Sequence, residues 1–254
     1  MKAALSQLLR LAALVVVCVV SLQLYFLARI ALMNVVDPQS TTFQRSEAFR
    51  LLSEHHRVLW SQRWVDARAI SPQLKRAVIA SEDANFLEHS GIEWDAIEKA
   101  WERNQKAEAT AARSIMRRRP GSAASNKPAP QPRIVGGSTI TQQLAKNLFL
   151  GGERSLVRKG QEAVITFMLE GLLRKQRILE IYLNNVEWGE GVFGAQAAAR
   201  HYFHVDAAQL NTFQAARLAV MLPAPKRFER RPGSAYVIGR AATVAARMPA
   251  VELP

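Results

Sequence analysis

From Leu11 to Ala28 the chain runs for 18 residues without a charge, its apolar character broken only by Ser21 and Gln23. No other stretch restricts the backbone so severely, because in a bilayer every peptide N–H and C=O has to be bonded inside the segment, and a single segment can do that only as a helix. At roughly 1.5 Å per residue it spans about 27 Å, enough for a hydrocarbon core. A cleaved signal peptide is the alternative. The run is longer than a usual signal core and no clear small-x-small site follows it, so an uncleaved anchor is expected. Lys2 and Arg10 precede the run in an acid-free N-terminus, which favours a cytoplasmic start; Arg29 lies just beyond it, but long downstream domains translocate largely regardless of charge. The lone cysteine, Cys18, sits within the span, so no disulfide framework can form inside one chain. The expected organisation is a cytoplasmic N-terminus over 1–10, an anchor over 11–28, a linker over 29–57 and one globular domain over 58–254.

Within that domain, GGSTITQQLAKNLFL from Gly136 to Leu150 has more polar order than a core helix requires. Two glycines lead into a helix whose expected N-cap is Thr139, with Gln142 three residues on as the partner in a capping box. Ser138, Gln142, Gln143 and Lys146 gather polar groups near a glycine turn and a helix start, where backbone can approach a ligand closely and an anion is favoured. Ile140, Leu144 and Leu148 recur four apart as the buried stripe, which an ordinary amphipathic helix would also show.

Upstream, Ser71-Pro72 reads as an N-cap and first helical residue opening a helix through Leu74, Val78 and Ile79. Glu82 and Asp83 fall at the C-terminal end of that helix, where the macrodipole disfavours carboxylates and each repels the other. A glutamate there is a stronger base than a free one, as general-base chemistry needs, although a surface Glu-Asp pair has the same sequence appearance. Downstream, Glu153 to Glu170 reads as a helix with Leu156, Val157, Ala163, Val164, Phe167 and Met168 as its apolar positions. Arg158 lies four residues before Glu162 and Lys159 three before it, within reach on one face. Cation before acid is the weaker order for supporting a helix, so helix stabilisation explains the trio incompletely.

In combination these segments resemble the peptidoglycan glycosyltransferases, lysozyme-like enzymes that polymerise a lipid-linked disaccharide into glycan strands. The resemblance rests on Glu82-Asp83 with Phe86, His89 and Gly91; on Gly136 to Leu150; on Arg158-Lys159 with Glu162; on ILEIYLNNVEWGEGVFGAQAAARHYF from Ile178 to Phe203; and on AARLAVMLPAP from Ala215 to Pro225. These ordered motifs cover most of residues 60 to 250. The similarity is to the monofunctional biosynthetic form, an anchor plus one catalytic domain. Neither Ser-x-x-Lys nor Lys-Thr-Gly occurs, so peptide cross-linking and penicillin binding are not expected.

The resemblance implies an all-α, two-lobed lysozyme-like domain after one transmembrane helix, on the periplasmic side of a bacterial inner membrane. It implies Glu82 as general base and Glu162 as the second essential acid. It places Asp83, Phe86, His89, Ser138, Thr139, Gln142, Gln143, Lys146, Asn147, Arg154, Arg158 and Lys159 at the substrate, with Lys146, Arg154, Arg158 and Lys159 facing the departing diphosphate. The partners implied are lipid II, the growing lipid-linked strand, the membrane and cell-wall synthesis or division proteins. Magnesium is compatible with oxygen ligands and phosphates, but no metal ligand is assigned, and no second His or Cys stands at ligand spacing from His89. Glu180, Asn184, Trp188 and Tyr202 match the pattern as residues expected to hold the fold together.

The net charge of +13 raises a nucleic-acid reading, but the cations form no recognisable nucleic-acid motif, and basic segments suit anionic lipid equally well. A lysozyme-like hydrolase shares the fold and the dominant glutamate, yet has no diphosphate to neutralise and gives no reason for the cations. A noncatalytic anchored binding protein is a third reading. From Asn104 to Arg133 the chain is rich in Ala, Arg, Pro and Ser, with Arg117 to Arg119 in a row, and an irregular insertion is expected there. Sustained period-two alternation is absent, so no strand is expected.

Overall fold

A computed structural model describes residues 2–116, 137–153 and 155–254. The first helix, α1 (Lys2–Leu32), is longer than the expected anchor, and its apolar span runs from Leu5 to Leu32. It does not stand apart from the domain. Phe26, Ile30 and Met33 are buried in the main core, and Phe26 meets Phe149 edge-on at 5.2 Å between ring centroids.

The segment expected as a linker is instead largely structured. Thr41 caps α2 (Thr42–His55) and Gln44 completes a capping box, a signal present in the sequence and not used. Gln44 Nε2 also donates to Asn185, and Thr42 Oγ1 donates to the Leu148 carbonyl. Helix α3 (Pro72–Glu82) starts as expected, with Ser71 as N-cap and Pro72 at the first position. The following helix, α4 (Trp94–Met116), carries on through residues 104–116, the first part of the stretch expected to be irregular. Its Ala, Glu, Lys and Gln content favours helix, and Glu102 pairs with Lys106 four residues on. Residues 117–133, including the arginine triplet, lie outside the described residues.

Thr139 caps α5 (Ile140–Phe149) through the expected box with Gln142, and Ile140, Leu144 and Leu148 are buried. Ser155 caps α6 (Leu156–Leu172), and most of its apolar positions face outward. Leu156 is 91% exposed, Val157 84%, Phe167 52% and Val164 42%, while Glu162, Ile165, Thr166 and Leu169 form the buried face. Helix α6 therefore turns a polar-containing stripe inward and an apolar one outward, the reverse of a water-facing helix.

Then come α7 (Lys175–Asn185), α8 (Ala195–Phe203), α9 (Thr212–Met221), α10 (Pro225–Phe228) and α11 (Ala235–Arg247). Between them lies a small sheet absent from the sequence reading: β1 (Ser61–Gln62) pairs parallel with β3 (Val192–Phe193), and β3 antiparallel with β2 (Glu187–Gly189). Strands this short cannot display alternation, and β2 and β3 are buried throughout. Gly191 makes the turn possible: its φ is +72°, and a Cβ there would lie 2.0 Å from the Leu59 carbonyl oxygen.

The helices pack in two groups over one continuous core, α3, α9 and α11 in the first and α1, α2, α5, α6 and α7 in the second. The residues expected to hold the fold do so. Asn184 makes reciprocal hydrogen bonds with the Val65 backbone at 2.9 Å, Glu180 accepts from Ala67 N, Trp188 donates to the Leu218 carbonyl, and Tyr202 donates to the Trp188 carbonyl.

Candidate active site

The two helix groups meet where the end of α3 touches the start of α5. Glu82 is the last residue of α3 and is partly buried. Burial raises its pKa, the neighbouring Asp83 charge adds to the rise, and a hydrogen bond from Gln143 works against it. That bond runs from Gln143 Nε2 to Glu82 Oε2 at 3.1 Å. The other end of the same amide, Gln143 Oε1, accepts from the Tyr182 hydroxyl at 2.8 Å.

Asp83 is 4% exposed and is held in place on both oxygens. Oδ1 lies 2.8 Å from His89 Nε2, and Oδ2 accepts from the Ile140 backbone N–H at 2.9 Å, in the first turn of α5. His89 Nδ1 accepts from Gly91 N at 3.0 Å, so the ring proton is on Nε2 and points at Asp83. The Gly91 carbonyl in turn accepts from Thr139 Oγ1 at 2.6 Å. Gly91 has φ +89°, and a Cβ there would stand 2.6 Å from Thr166 Cγ2, so glycine alone fits this crossing. Phe86 is fully buried under the Lys175 ammonium, which lies 4.5 Å from its ring centroid and donates to the His89 carbonyl.

A division among the expected substrate residues follows. Asp83, Phe86, His89, Thr139 and Gln142 are engaged with one another or with the core, and they fix the end of α3 against the start of α5. Ser138, Gln143 and Asn147 are partly exposed and Lys146 is exposed, so these retain surface for a ligand. Gly136 and Arg154 lie outside the described residues.

Along α5, Lys146 follows Gln143 by three residues, about 5–6 Å on the same face. Its pKa is lowered by desolvation; Glu162 opposes the shift, and Arg158 and Lys159 add to it. Glu162 is 3% exposed and bonds to both cations of its own helix: Arg158 Nη1 donates to Oε2 at 2.8 Å, and Lys159 Nζ donates to Oε1. Arg158 Nε is buried and has no hydrogen-bond partner among the described residues. Among the described residues, three cations around one carboxylate leave a formal surplus of two positive charges.

Donor atoms of Asp83, His89 and Glu93 lie within 4.8 Å of one another, the spacing of a metal site. They do not fit a cation as they stand. Both Asp83 oxygens and both His89 nitrogens are engaged within the fold, and Glu93 Oε1 accepts from Asn85 Nδ2 at 2.6 Å. Glu162 likewise has a cationic side chain on each oxygen.

The Tyr182 contact was not visible in the sequence. Tyr182 follows Ile181 in an apolar run, and nothing in the spacing separates it from an ordinary core tyrosine.

The Transglycosylase family profile matches residues 51–115 and 113–249. A biosynthetic peptidoglycan transglycosylase of Burkholderia thailandensis is 52% identical over 233 residues, 91% of this chain and 82% of its own length. That of Paraburkholderia phytofirmans is 49% identical over 244 residues, covering 96% of this chain and 92% of the relative. That of Bordetella pertussis is 48% identical over 240 residues, with coverage of 94% and 91%.

Proposed function

The chain belongs to the transglycosylase family, and from that premise we propose that it is a membrane-anchored peptidoglycan glycosyltransferase that polymerises lipid II into β-1,4-linked glycan. The observation that carries the mechanism is the arrangement on α5. Gln143 touches a carboxylate of raised pKa, and one turn later Lys146 stands beside the Arg158, Lys159 and Glu162 cluster. A base and an anion site separated by one helical turn suit attack at a sugar carbon whose leaving group is a diphosphate.

Glu82 takes the proton from the 4-hydroxyl of the incoming disaccharide as that oxygen attacks the anomeric carbon of the growing strand. The α-linked polyprenyl diphosphate leaves from the opposite face, so the new bond is β. The surplus of two positive charges matches the two negative charges of a diphosphate diester, and the unpartnered Arg158 N–H is a donor that an anion would satisfy. Glu162 holds Arg158 and Lys159 in place before the substrate arrives. A hydrolase acting on finished glycan would leave this cluster without a function.

The anchor supports a membrane-apposed domain on the periplasmic side. Gln23 in α1 and Gln161 in α6 form a reciprocal amide pair, at 2.9 and 3.0 Å. On α6, Val157, Gln161 and Val164 share one face, so the outward apolar stripe lies beside the anchor, where it would enter the lipid boundary as a lipid-linked substrate requires.

The test is glycan-chain formation from purified lipid II in detergent, with Glu82→Gln and with moenomycin, the donor-site inhibitor of the family, as controls. Polymer from the intact protein alone is expected. Unimpaired polymerisation by Glu82→Gln would remove Glu82 as base, and no polymer from folded intact protein would reopen the hydrolase reading.

A further inference from the structure

We infer that Tyr182 is a positioning residue for the reaction: its hydroxyl locks the Gln143 amide in the one orientation that donates to Glu82. The inference rests on the reading of Glu82 as the base.

The geometry is a relay across three helices. Tyr182 on α7 is 1% exposed, and its hydroxyl donates to Gln143 Oε1 at 2.8 Å; Gln143 on α5 then donates through Nε2 to Glu82 Oε2 at the end of α3, at 3.1 Å. An amide has a donor end and an acceptor end, and the two differ little in shape, so packing alone chooses poorly between them. The phenol, as donor at the far end, reinforces the choice that the acceptors at the near end favour. If Gln143 turned over, its carbonyl would face the Glu82 carboxylate and the Ser138 carbonyl, two acceptors, and the buried phenol proton would lose its acceptor.

The phenol is also a dependable donor. Burial raises its pKa well above the usual tyrosine value, and the nearby Glu82 and Asp83 charges push it the same way, so it stays protonated wherever the base is ionised. Among the described residues, the titratable groups that act on Glu82 are Asp83 beside it and Tyr182 through the amide; Asp83 is in turn held by His89. Tyr182 is the one of these that bonds to the far end of the amide donating to Glu82.

A fixed donor stabilises the ionised carboxylate and so sets the pH at which the base becomes available. Removing only the hydroxyl, in Tyr182→Phe, leaves Gln143 Oε1 without its donor and loosens the amide that bonds to Glu82. The acidic limb of kcat against pH should then move up by about one unit, a shift of the size that loss of one charge-assisted hydrogen bond gives. At high pH, above the limb, the rate should recover to within a few-fold of the parent. KM for lipid II should change little, because the phenol is buried away from the surface.

Four proteins decide the matter: the intact chain, Tyr182→Phe, Gln143→Met and the double variant, each checked for folding by thermal melting and assayed for glycan formation between pH 5 and 9. Both single variants should raise the limb, and Tyr182→Phe should add nothing in the Gln143→Met background. An unmoved limb in folded Tyr182→Phe, or an equal further shift in the double variant, would overturn the relay. Should Tyr182→Phe not fold, an unmoved limb in Gln143→Met overturns it independently. Glu82→Gln separates the two levels of the argument. If that variant is active with an ordinary pH profile, the base assignment has failed; if it is inactive while Tyr182→Phe leaves the limb in place, the relay alone has failed.

Discussion

Glu162→Gln tests the idea that the second carboxylate works through the cations it holds. Glu162 is 3% exposed, with Arg158 Nη1 at 2.8 Å on one oxygen and Lys159 on the other. The Arg158 side chain is 20% exposed and that of Lys159 48%, so water can resolvate both once the charge is gone. The stability cost is therefore modest, about 1–2 kcal/mol, or a fall of several degrees in Tm. The catalytic cost is larger, because a preorganised group that stabilises developing charge is worth about 100- to 1,000-fold in rate when removed. KM should not rise with it. The surplus of positive charge grows by one, which favours the ground-state diphosphate while loosening the geometry that serves its departure. The alkaline limb carries a second signature. Glu162 opposes the lowering of the Lys146 pKa, so its removal should make Lys146 lose its proton at lower pH and bring the limb down. Steady-state kinetics over pH 6–10 with lipid II in detergent reads all three quantities. A variant within threefold of the parent in kcat, with its alkaline limb in place, would refute the assignment of Glu162 to holding the cations.

Three other expectations follow from the same contacts. Asp83→Asn keeps one acceptor but turns an amide N–H toward either His89 Nε2–H or Ile140 N–H, so Tm should fall by about 5–10 °C, from about 2–3 kcal/mol of lost hydrogen bonding; an unchanged melt would mean the junction of α3 and α5 does not depend on this carboxylate. Glu187, buried beside Lys226 at 3.5 Å, has its pKa raised to about 7 by desolvation, so its protonated form favours the fold and that contribution is lost as pH rises from about 4.5 through 7. Glu187→Gln should accordingly raise Tm at pH 8, by up to about 3 kcal/mol of stability, with the gain shrinking toward pH 5; a gain that grows on acidification would reverse the sign of the argument. Gln23→Leu breaks the amide pair with Gln161 and should cost about 0.6–1.7 kcal/mol in detergent micelles, with faster hydrogen exchange in the middle of α6, whereas exchange equal to the parent would show the anchor and α6 to be independent.

How much of the site could be read in the sequence depended on how local its determinants are. The capping box of Thr139 and Gln142, the start of α3 at Ser71-Pro72, and the reach of Arg158 and Lys159 to Glu162 are all settled within four residues, and each stands as read. Which way the apolar stripe of α6 faces is not legible in the sequence, because period alone marks a face without saying which solvent it meets. Val157 and Val164 have the spacing of core residues, and the core is instead built by Ile165 and Leu169, with Glu162 and Thr166 between them. The sheet was missed because its strands are two and three residues long. Tyr182 was missed because its partner, Gln143, lies 39 residues earlier and its meaning depends on which way an amide points.

The internal engagement of Asp83, Phe86, His89, Thr139 and Gln142 bears on how the enzyme reaches its geometry. Asp83 joins the end of α3, a place unfavourable for carboxylates, to the start of α5, a place favourable for them. The same carboxylate therefore raises the pKa of Glu82 beside it while accepting the Ile140 N–H of α5. Glu82, one residue earlier, gains no backbone N–H from α5 and has the Gln143 amide as its donor across the junction. With Glu82 as the proposed base, the two adjacent acids divide between structure and chemistry according to which helix end each one faces. The glycine at position 91 serves this division: its backbone, bonded to His89 and Thr139, keeps Asp83 aimed at α5 and leaves Glu82 to the Gln143 amide.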